Sequence, residues 1–327
     1  MAPKSEGTAK SPSTYLSLVE ACDDFPHDPS AVQQYYKLYL PYDSHAHGYM
    51  LPEVVAKMPW TSDFVVNHDG DRYVSVLDSS HGKDTAAAVN SAFGKVVDTC
   101  VDNDLFHLLC ARHSESFAII GATYDQPVYV ERFAAALFGI TQRGAHMIAY
   151  TYDTDRQMRI WVGRRSLHIY TYPGMLDSTV AGGIELGSPP LKTIIEESGE
   201  EASLLEDFVR HNVRSRGAIS QISLTGRGFP GEQGLVVPDY IYLYDIELPA
   251  DMTPKPYDEE VGQFHCMTVP EVQGALLNDE FKPDSASVMI DFLMRHSIIT
   301  PENEPDFVEI TMRLHRKLPF GIRSHRA

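Results

Sequence analysis

Three carboxylates sit close together in one stretch, Val180 to Leu204, which reads VAGGIELGSPPLKTIIEESGEEASL: they are Glu197, Glu200 and Glu201. If the stretch is helical, a rotation of about 100° per residue puts the three on one flank. Like charges three and four positions apart cost a bare helix a few tenths of a kcal/mol, so a counter-charge is expected. A site made of oxygen ligands alone suits Mg²⁺ or Mn²⁺.

The element that must carry these side chains can be read from the same letters. Ser188 is a good N-cap, and Pro189 suits a first helical position, where a missing N–H costs nothing. The helix is therefore expected to begin at about Pro189. Leu191, Ile194, Ile195, Ser198 and Ala202 then fall on one stripe that should face a core. An isolated run of this kind is more often a solvated acidic face. The glycine pair before the helix weighs against that here, because it allows close backbone approach beside the carboxylates.

The segment resembles the Nudix box: a glycine, five residues, Glu, seven residues, Arg-Glu, an apolar residue, any residue, Glu-Glu, any residue, Gly and an apolar residue. Aligning the Glu-Glu pair places the box glycine at Gly182 and the glutamate of the Arg-Glu pair at Glu197. Flanking text narrows the match: Arg164-Arg165-Ser166, Tyr172-Pro173-Gly174-Met175-Leu176-Asp177, Leu243 to Pro249, Asp258-Glu259-Glu260-Val261 and Phe281-Lys282-Pro283. From about Tyr35 to Pro319 the chain looks like the eukaryotic Nudix proteins described as thiamine-pyrophosphokinase-related, which carry an amino-terminal domain of their own.

The resemblance implies a metal-dependent pyrophosphohydrolase acting on a small-molecule diphosphate, with damaged thiamine diphosphate, cleaved to the monophosphate, as the associated substrate. Carried over residue by residue, it implies metal ligation by Glu197, Glu200, Glu201 and the Gly182 carbonyl. Glu197 and Glu260 would be the catalytic carboxylates, and Arg164, Arg165 and Lys282 the substrate contacts. Four box positions depart: Ser188 replaces the first glutamate, Glu196 the arginine, Ser198 the apolar residue and Ser203 the last glycine. Glu196 is expected to add a further negative group near Glu200.

The resemblance further implies an α/β chain, with a Nudix-type α/β/α sandwich around a mixed sheet and a smaller α+β amino-terminal domain. The divisions are a disordered tail at 1–13, the amino-terminal domain at 14–142, the Nudix domain at 143–300 and a carboxy-terminal extension at 301–327. In the first domain, DFVVN and RYVSVLD read as strands about an HDGD turn, Thr85 to Cys100 as an amphipathic helix, and RFAAALFGI as a second helical segment. In the second, His146 to Tyr152 and Gln157 to Val162 read as a hairpin, and Ala218 to Leu224 as a strand. Tyr240 to Leu248, apolar or aromatic on both faces, reads as central. Asp284 is expected to cap a helix that runs towards Arg295, and the stretch from His211 to Gly217 to link the box helix to the next strand.

Composition sets outer bounds. The chain has 327 residues, 43% hydrophobic and 22% charged, and a net charge of −18. So acidic a surface argues against nucleic acid or anionic membrane as partner, and a diphosphate then needs local arginine, lysine and metal. Cys22, Cys100, Cys110 and Cys266 form no CxxC pair and read as reduced, buried thiols. The polar opening residues lack a signal-peptide core and no run approaches a membrane span, so a cytoplasmic protein is expected; a homodimer is left open.

Other motifs carry less. His45 and His47 share a strand face but have no third ligand, and His107, Cys110 and His113 step by three without a partner; neither cluster is given a function. GxSxG and GK[ST] are absent, and Gly226-Arg227-Gly228 reads as a flexible connector. Two rivals stand beside the first reading: a Nudix enzyme recruited to another small-molecule diphosphate, and a binding protein on a decayed Nudix scaffold.

Overall fold

The computed structural model describes residues 13–111, 115–226 and 229–321. The tail expected over 1–13 lies outside these apart from Ser13, as do Arg227 and Gly228 of the expected connector and His113.

The first helix is α1 (Tyr15–Glu20), closed at its start by a reciprocal Thr14–Ser17 capping pair. A four-stranded sheet follows, built from β1 (Tyr36–Tyr39), β2 (Ala46–Met50), β3 (Phe64–Asn67) and β4 (Tyr73–Val76), with α2 (Pro52–Lys57) between β2 and β3. Its order is β2-β1-β4-β3, in which β1 and β4 run parallel and the other neighbours antiparallel. The expected β3–β4 hairpin is present. α3 (Thr85–Asp102) extends the expected helix slightly, and Asp84 caps it by accepting the Ala87 N–H at 3.1 Å. Its stripe of Val89, Ala92, Phe93 and Val96 is fully withdrawn into the first core.

β5 (Ser116–Ala118) and β6 (Tyr129–Glu131) pair with each other. The second expected helix shrinks to α4 (Ala134–Leu137). Gly139 ends it at φ +63°, pressed so close to Tyr49 that an added Cβ would lie 2.0 Å from the Tyr49 carbonyl oxygen. Only glycine tolerates both conditions.

The second sheet supplies the scaffold of the site. β7 (Gln142–Tyr152) and β8 (Met158–Arg165) form the expected hairpin, with Tyr152 opposite Met158. β9 (Leu176–Asp177) adds to β8, and β10 (Val180–Gly183) adds to the first half of β7. α5 (Pro190–Ala202) and α6 (Glu206–Asn212) come next, then β11 (Arg214–Leu224), β12 (Val236–Glu247) and β13 (Val261–Thr268). The chain closes with α7 (Val269–Leu277), α8 (Pro283–Arg295) and α9 (Phe307–Leu314). The order is β11-β12-β7-β8-β13, with β12 parallel to β7, so the sheet is mixed and β12 is an interior strand.

Side chains alternate across this sheet with the period of two that a strand imposes. Ile148, Ile241 and Leu243 face a core shared with α7, α8 and α9. Met147, Ala149, Tyr244 and Ile246 face the opposite core, under α5 and α6. Helices on both faces of a mixed sheet make the expected α/β/α sandwich. α6 was not expected; it occupies part of the linker between the box helix and the next strand.

Two boundaries drawn from the sequence cut through a core. Leu18 and Val19 of α1, and Ile310 and Leu314 of α9, belong to the same apolar cluster as α7 and α8. Helix α1 therefore packs with the second sheet, and the carboxy-terminal extension is a structural layer of it. Apolar area, at roughly 25 cal/mol per Å² removed from water, rewards such distant pairings. Cys22 and Cys100 are buried, whereas Cys266, on the outermost strand β13, is exposed. Among the described residues, no helix is long and apolar enough to cross a membrane.

Candidate functional site

Helix α5 starts one residue later than expected. Pro189 is its N-cap, no side chain caps it, and the Ser188 hydroxyl accepts from Lys192 Nζ at 3.5 Å instead. Ile194, Ile195, Ser198 and Ala202 are buried as the stripe requires, while Leu191 is 37% exposed because the first turn overhangs the core. At the other end Ser203 takes a left-handed conformation, φ 54°. The Leu204 N–H then reaches back to the Ser198 carbonyl at 2.9 Å. This is a position where a glycine would be free of strain.

The three glutamates occupy graded depths. Glu201 is buried and accepts the Ala181 N–H at 2.9 Å; Glu197 is partly buried; Glu200 is exposed. Burial, with the charges of Glu200 and Glu260 beside it, pushes the Glu197 carboxyl up to about 8. Burial and the Glu197 charge hold Glu201 well above the ordinary carboxylate range, against the lowering effect of the Ala181 N–H. Desolvation and like charge both disfavour the ionised forms. Glu260 is exposed in the loop before β13, and its influence on both glutamates places it on their side of the cleft.

Gly182 is required by Glu197. A Cβ at that position would lie 2.2 Å from Glu197 Oε1 and 2.6 Å from its Cδ. Glu196 is solvated and paired with Lys192 at 3.1 Å, one helical turn before it. Glu200 lies one turn after it on the same helix, so Glu196 neighbours Glu200 at the exposed edge of the cluster, and Lys192 offsets part of its charge.

A cleft of about 660 Å³ opens beside Gly182 and Gly183, lined from one half of the molecule by Phe117, Arg132 and Phe133, and from the other by Arg143, His146 and Glu260. The two halves are joined here: the Leu186 N–H donates to the Ser116 carbonyl at 2.9 Å. Arg132 is paired with Glu115 at 2.6 Å, and an added Cβ on Gly183 would meet its guanidinium carbon at 3.4 Å. Arg143 also lines the cleft, and burial holds its pKa below the ordinary value. Neither arginine was singled out from the sequence. Arg143 was legible as a cation at the start of a glycine-bearing strand, whereas Arg132 reaches the site only through the fold.

The sequence-predicted cations are placed differently. Arg164 lies outside the cleft lining; it donates to the Gly174 carbonyl at 2.8 Å, because its position in β8 turns it towards the 166–175 loop. Arg165 lines the cleft but is held by Asp177 at 2.7 Å and by the Thr171 carbonyl at 3.1 Å. Lys282 lines it too, paired with Asp284 at 2.9 Å. Asp284 sits in the first turn of α8 and not at its N-cap, which is Lys282. His45 and His47 both turn to Asp43, at 3.0 and 3.1 Å.

The donor chemistry around Gly182 fits a hard divalent cation: oxygen ligands only, with two carboxylates whose pKa values stay raised despite the Arg132 charge near one and the Ala181 N–H on the other. Among the described residues, no three His, Cys, Asp or Glu side chains are already gathered as a metal cluster. Glu200 and Glu260, both exposed, are the members free to swing in.

No protein-family model matches the chain. An uncharacterized protein of Saccharomyces cerevisiae is 40% identical over 198 residues, covering 59% of this chain and 58% of that protein. Nudix hydrolase 20, chloroplastic, of Arabidopsis thaliana is 35% identical over 198 residues, covering 60% of this chain and 50% of that one. Nudix hydrolase 24, chloroplastic, of the same plant is 33% identical over 195 residues, covering 59% and 51%. Over these stretches the chain is similar to Nudix hydrolases. It spans between about half and three-fifths of the length of these curated relatives. Among solved structures, a Caenorhabditis elegans Ap4A hydrolase complex aligns at 12% identity over 48% of this chain and 99% of that chain, TM-score 0.34. The NUDIX domain of Shewanella oneidensis NrtR, cocrystallised with ADP ribose, aligns at 12% over 50% and 91%, TM-score 0.37. The likeness rests on the sequence relatives. The segment that resembles the Nudix box runs from Gly182 to Leu204, and its helix is α5.

Proposed function

We propose that the protein is a divalent-metal-dependent pyrophosphohydrolase that cleaves a small-molecule diphosphate, and that damaged thiamine diphosphate, converted to the monophosphate, is the substrate. The observation that carries the reading is the pair Glu197 and Glu201. Glu197 lies against Gly182 and Glu201 accepts the Ala181 N–H, beside a cleft that Ala181 and Gly182 line; both have raised pKa values, each raised in part by neighbouring carboxylate charge, and among the described residues neither has a salt-bridge partner. Perturbed groups in a cleft mark functional sites more often than structural ones.

The chain's own residues divide the work. Arg143 and Arg132 offer guanidinium forks to the diphosphate oxygens, which suits planar, bidentate recognition. Phe117, Phe133, Tyr170 and Tyr172 line the wall and supply apolar surface for the organic half. Glu260, exposed at the cleft mouth, takes a proton from water as the water oxygen bonds to one phosphorus. The bridging oxygen leaves with the other phosphorus, giving the monophosphate and inorganic phosphate. Mg²⁺ or Mn²⁺, when bound, neutralises the diphosphate charge and acidifies water.

The test is a hydrolysis screen with Mg²⁺ and Mn²⁺ over thiamine diphosphate, its ring-oxidised form, ADP-ribose and an isoprenoid diphosphate. Phosphate release is expected, greatest with the thiamine forms and lost in Glu201→Gln. Turnover of none of them sinks the hydrolase reading; preference for the isoprenoid sinks the substrate.

A further inference from the structure

One side chain in the cleft has no structural explanation. Strand β12 is otherwise apolar or aromatic over most of its length, yet Asp239 sits within it, on the same strand face as Val237 and Ile241, and all three line the cleft. Its Oδ1 is closed off from solvent and has no hydrogen-bond partner among the described residues. The nearby cation, Lys282, is committed to Asp284 at 2.9 Å. Leaving a buried carboxylate oxygen bare costs stability, so a chain that keeps one has a use for it.

The neighbours say what that use is. In register, Asp239 lies between Gln142 of β7 and Gln221 of β11, and both glutamines line the same cleft. The Gln221 amide is fixed by donating to Ser287 Oγ at 3.0 Å. Three polar side chains thus cross the floor in a row, with Tyr172 and Phe133 among the cleft walls. The row is also the right distance from the box. β12 and β10 flank β7 on either edge, with Asp239 opposite Gln142 and Gly182 opposite Ala145. Strand spacing and rise put these positions about 10 Å apart across the sheet and about 10 Å along it. That span takes a diphosphate, a short linker and a ring.

We propose that Asp239 is a specificity residue: its bare carboxylate oxygen accepts a hydrogen bond from an amino or ring N–H group on the organic half of the substrate. The substrate class is then a diphosphate of an N–H-bearing heteroaromatic, held at one end by the box and at the other by the Gln142–Asp239–Gln221 row. This inference rests on the cleft being the substrate site, and it is tested without requiring turnover.

Calorimetric binding in EDTA of thiamine monophosphate, which carries an amino group, is compared with that of dimethylallyl monophosphate, which has no N–H. The wild type is expected to bind the first at least about tenfold more tightly. Asp239→Leu loses that preference while its affinity for the second is unchanged, and Asp239→Asn, which keeps an acceptor but not the charge, loses less. Neither variant lowers Tm, because the oxygen lost or neutralised is a buried one with no partner among the described residues. Equal loss for both probes, a fall in Tm, unchanged discrimination, or no binding of either probe overturns the proposal. Discrimination without hydrolysis of any diphosphate would leave Asp239 standing and sink the catalytic reading alone.

Discussion

Asp245 and Glu201 are both carboxylates almost withdrawn from solvent, 1% and 5% exposed, in the same half of the molecule. They are treated in opposite ways. Asp245 receives Arg295 through two bonds, at 2.6 and 3.1 Å, Arg216 at 3.0 Å and His296 at 3.2 Å. Burial alone would raise its pKa, but the His296 and Arg295 hydrogen bonds and charges win and hold it below the ordinary value. Glu201 has one backbone N–H, and the neighbouring charges that act on it are those of Glu197, Asp177 and Glu260. One buried acid is solved within the protein; the other is left for something that arrives. The same low-dielectric interior that makes the first a structural knot would make the second, on the proposed function, a receptor for positive charge.

The comparison can be broken most sharply at Glu201. Glu201→Gln is expected to lower kcat for diphosphate hydrolysis on the order of a thousandfold, while unfolding in urea without divalent ions shows equal or greater stability. Asp245→Asn should do the reverse. It leaves Arg295 with Asp291 alone and Arg216 beside a neutral group, costs on the order of 2 kcal/mol in the same urea experiment, and leaves kcat close to wild type. If both variants lose stability alike, the distinction between the two carboxylates fails.

Gly182→Ala is a smaller intervention in the same place. The added methyl collides with the end of the Glu197 side chain, which can move, so folding should survive. Displacing a catalytic carboxylate by about 1 Å is worth roughly a hundredfold in rate. Steady-state kinetics and a thermal melt on one preparation check both halves of the statement.

The smallest effect expected is on pH dependence. With its folded pKa near 8 and an ordinary unfolded value of 4.5, Glu197 makes the metal-free folded state hold more protons than the unfolded one. Stability should therefore fall as pH rises through that window, and saturating Mg²⁺ should flatten the slope. Asp245 acts with the opposite sign: its contribution is present above the unfolded value and is lost as pH falls through its lowered folded pKa. Melts between about pH 5 and 9 lie above the Asp245 window and follow the raised acids Glu197, Glu201 and Asp239 together; the part that Mg²⁺ removes relative to EDTA belongs to the glutamate pair.

How much of this was legible beforehand differs between the two carboxylate sites as well. The acidic helix and its glycine turn were plain, because α-helical spacing and a glycine pair are local signals. The hairpin of β7 and β8 and the interior place of β12 followed from apolar periodicity. The partners of Asp245 were out of reach, since Arg295 lies fifty residues away and meets it only after α8 docks. Arg132 and Glu115 reach the Nudix box for the same kind of reason, through packing between the two halves. Helix α1 was assigned to the wrong core because Leu18 and Val19 carry no sign of which distant cluster will bury them. The pairing of Glu196 with Lys192 was legible as an i,i+4 pair on one helix but was not drawn from the sequence. Asp239 had a readable signal, an acid inside an apolar strand, and so did Asp245; sequence alone does not separate the paired one from the bare one.

The central claim is that the crowded pair Glu197 and Glu201 forms a divalent-cation site. It is tested most directly by calorimetric titration of the wild type and Glu201→Gln with Mn²⁺ at neutral pH, repeated in two buffers of different ionisation enthalpy. Saturable binding with proton release, as expected when ligands of raised pKa must ionise, and its loss in Glu201→Gln are predicted. Equal Mn²⁺ binding by both proteins, or none by the wild type, would contradict it.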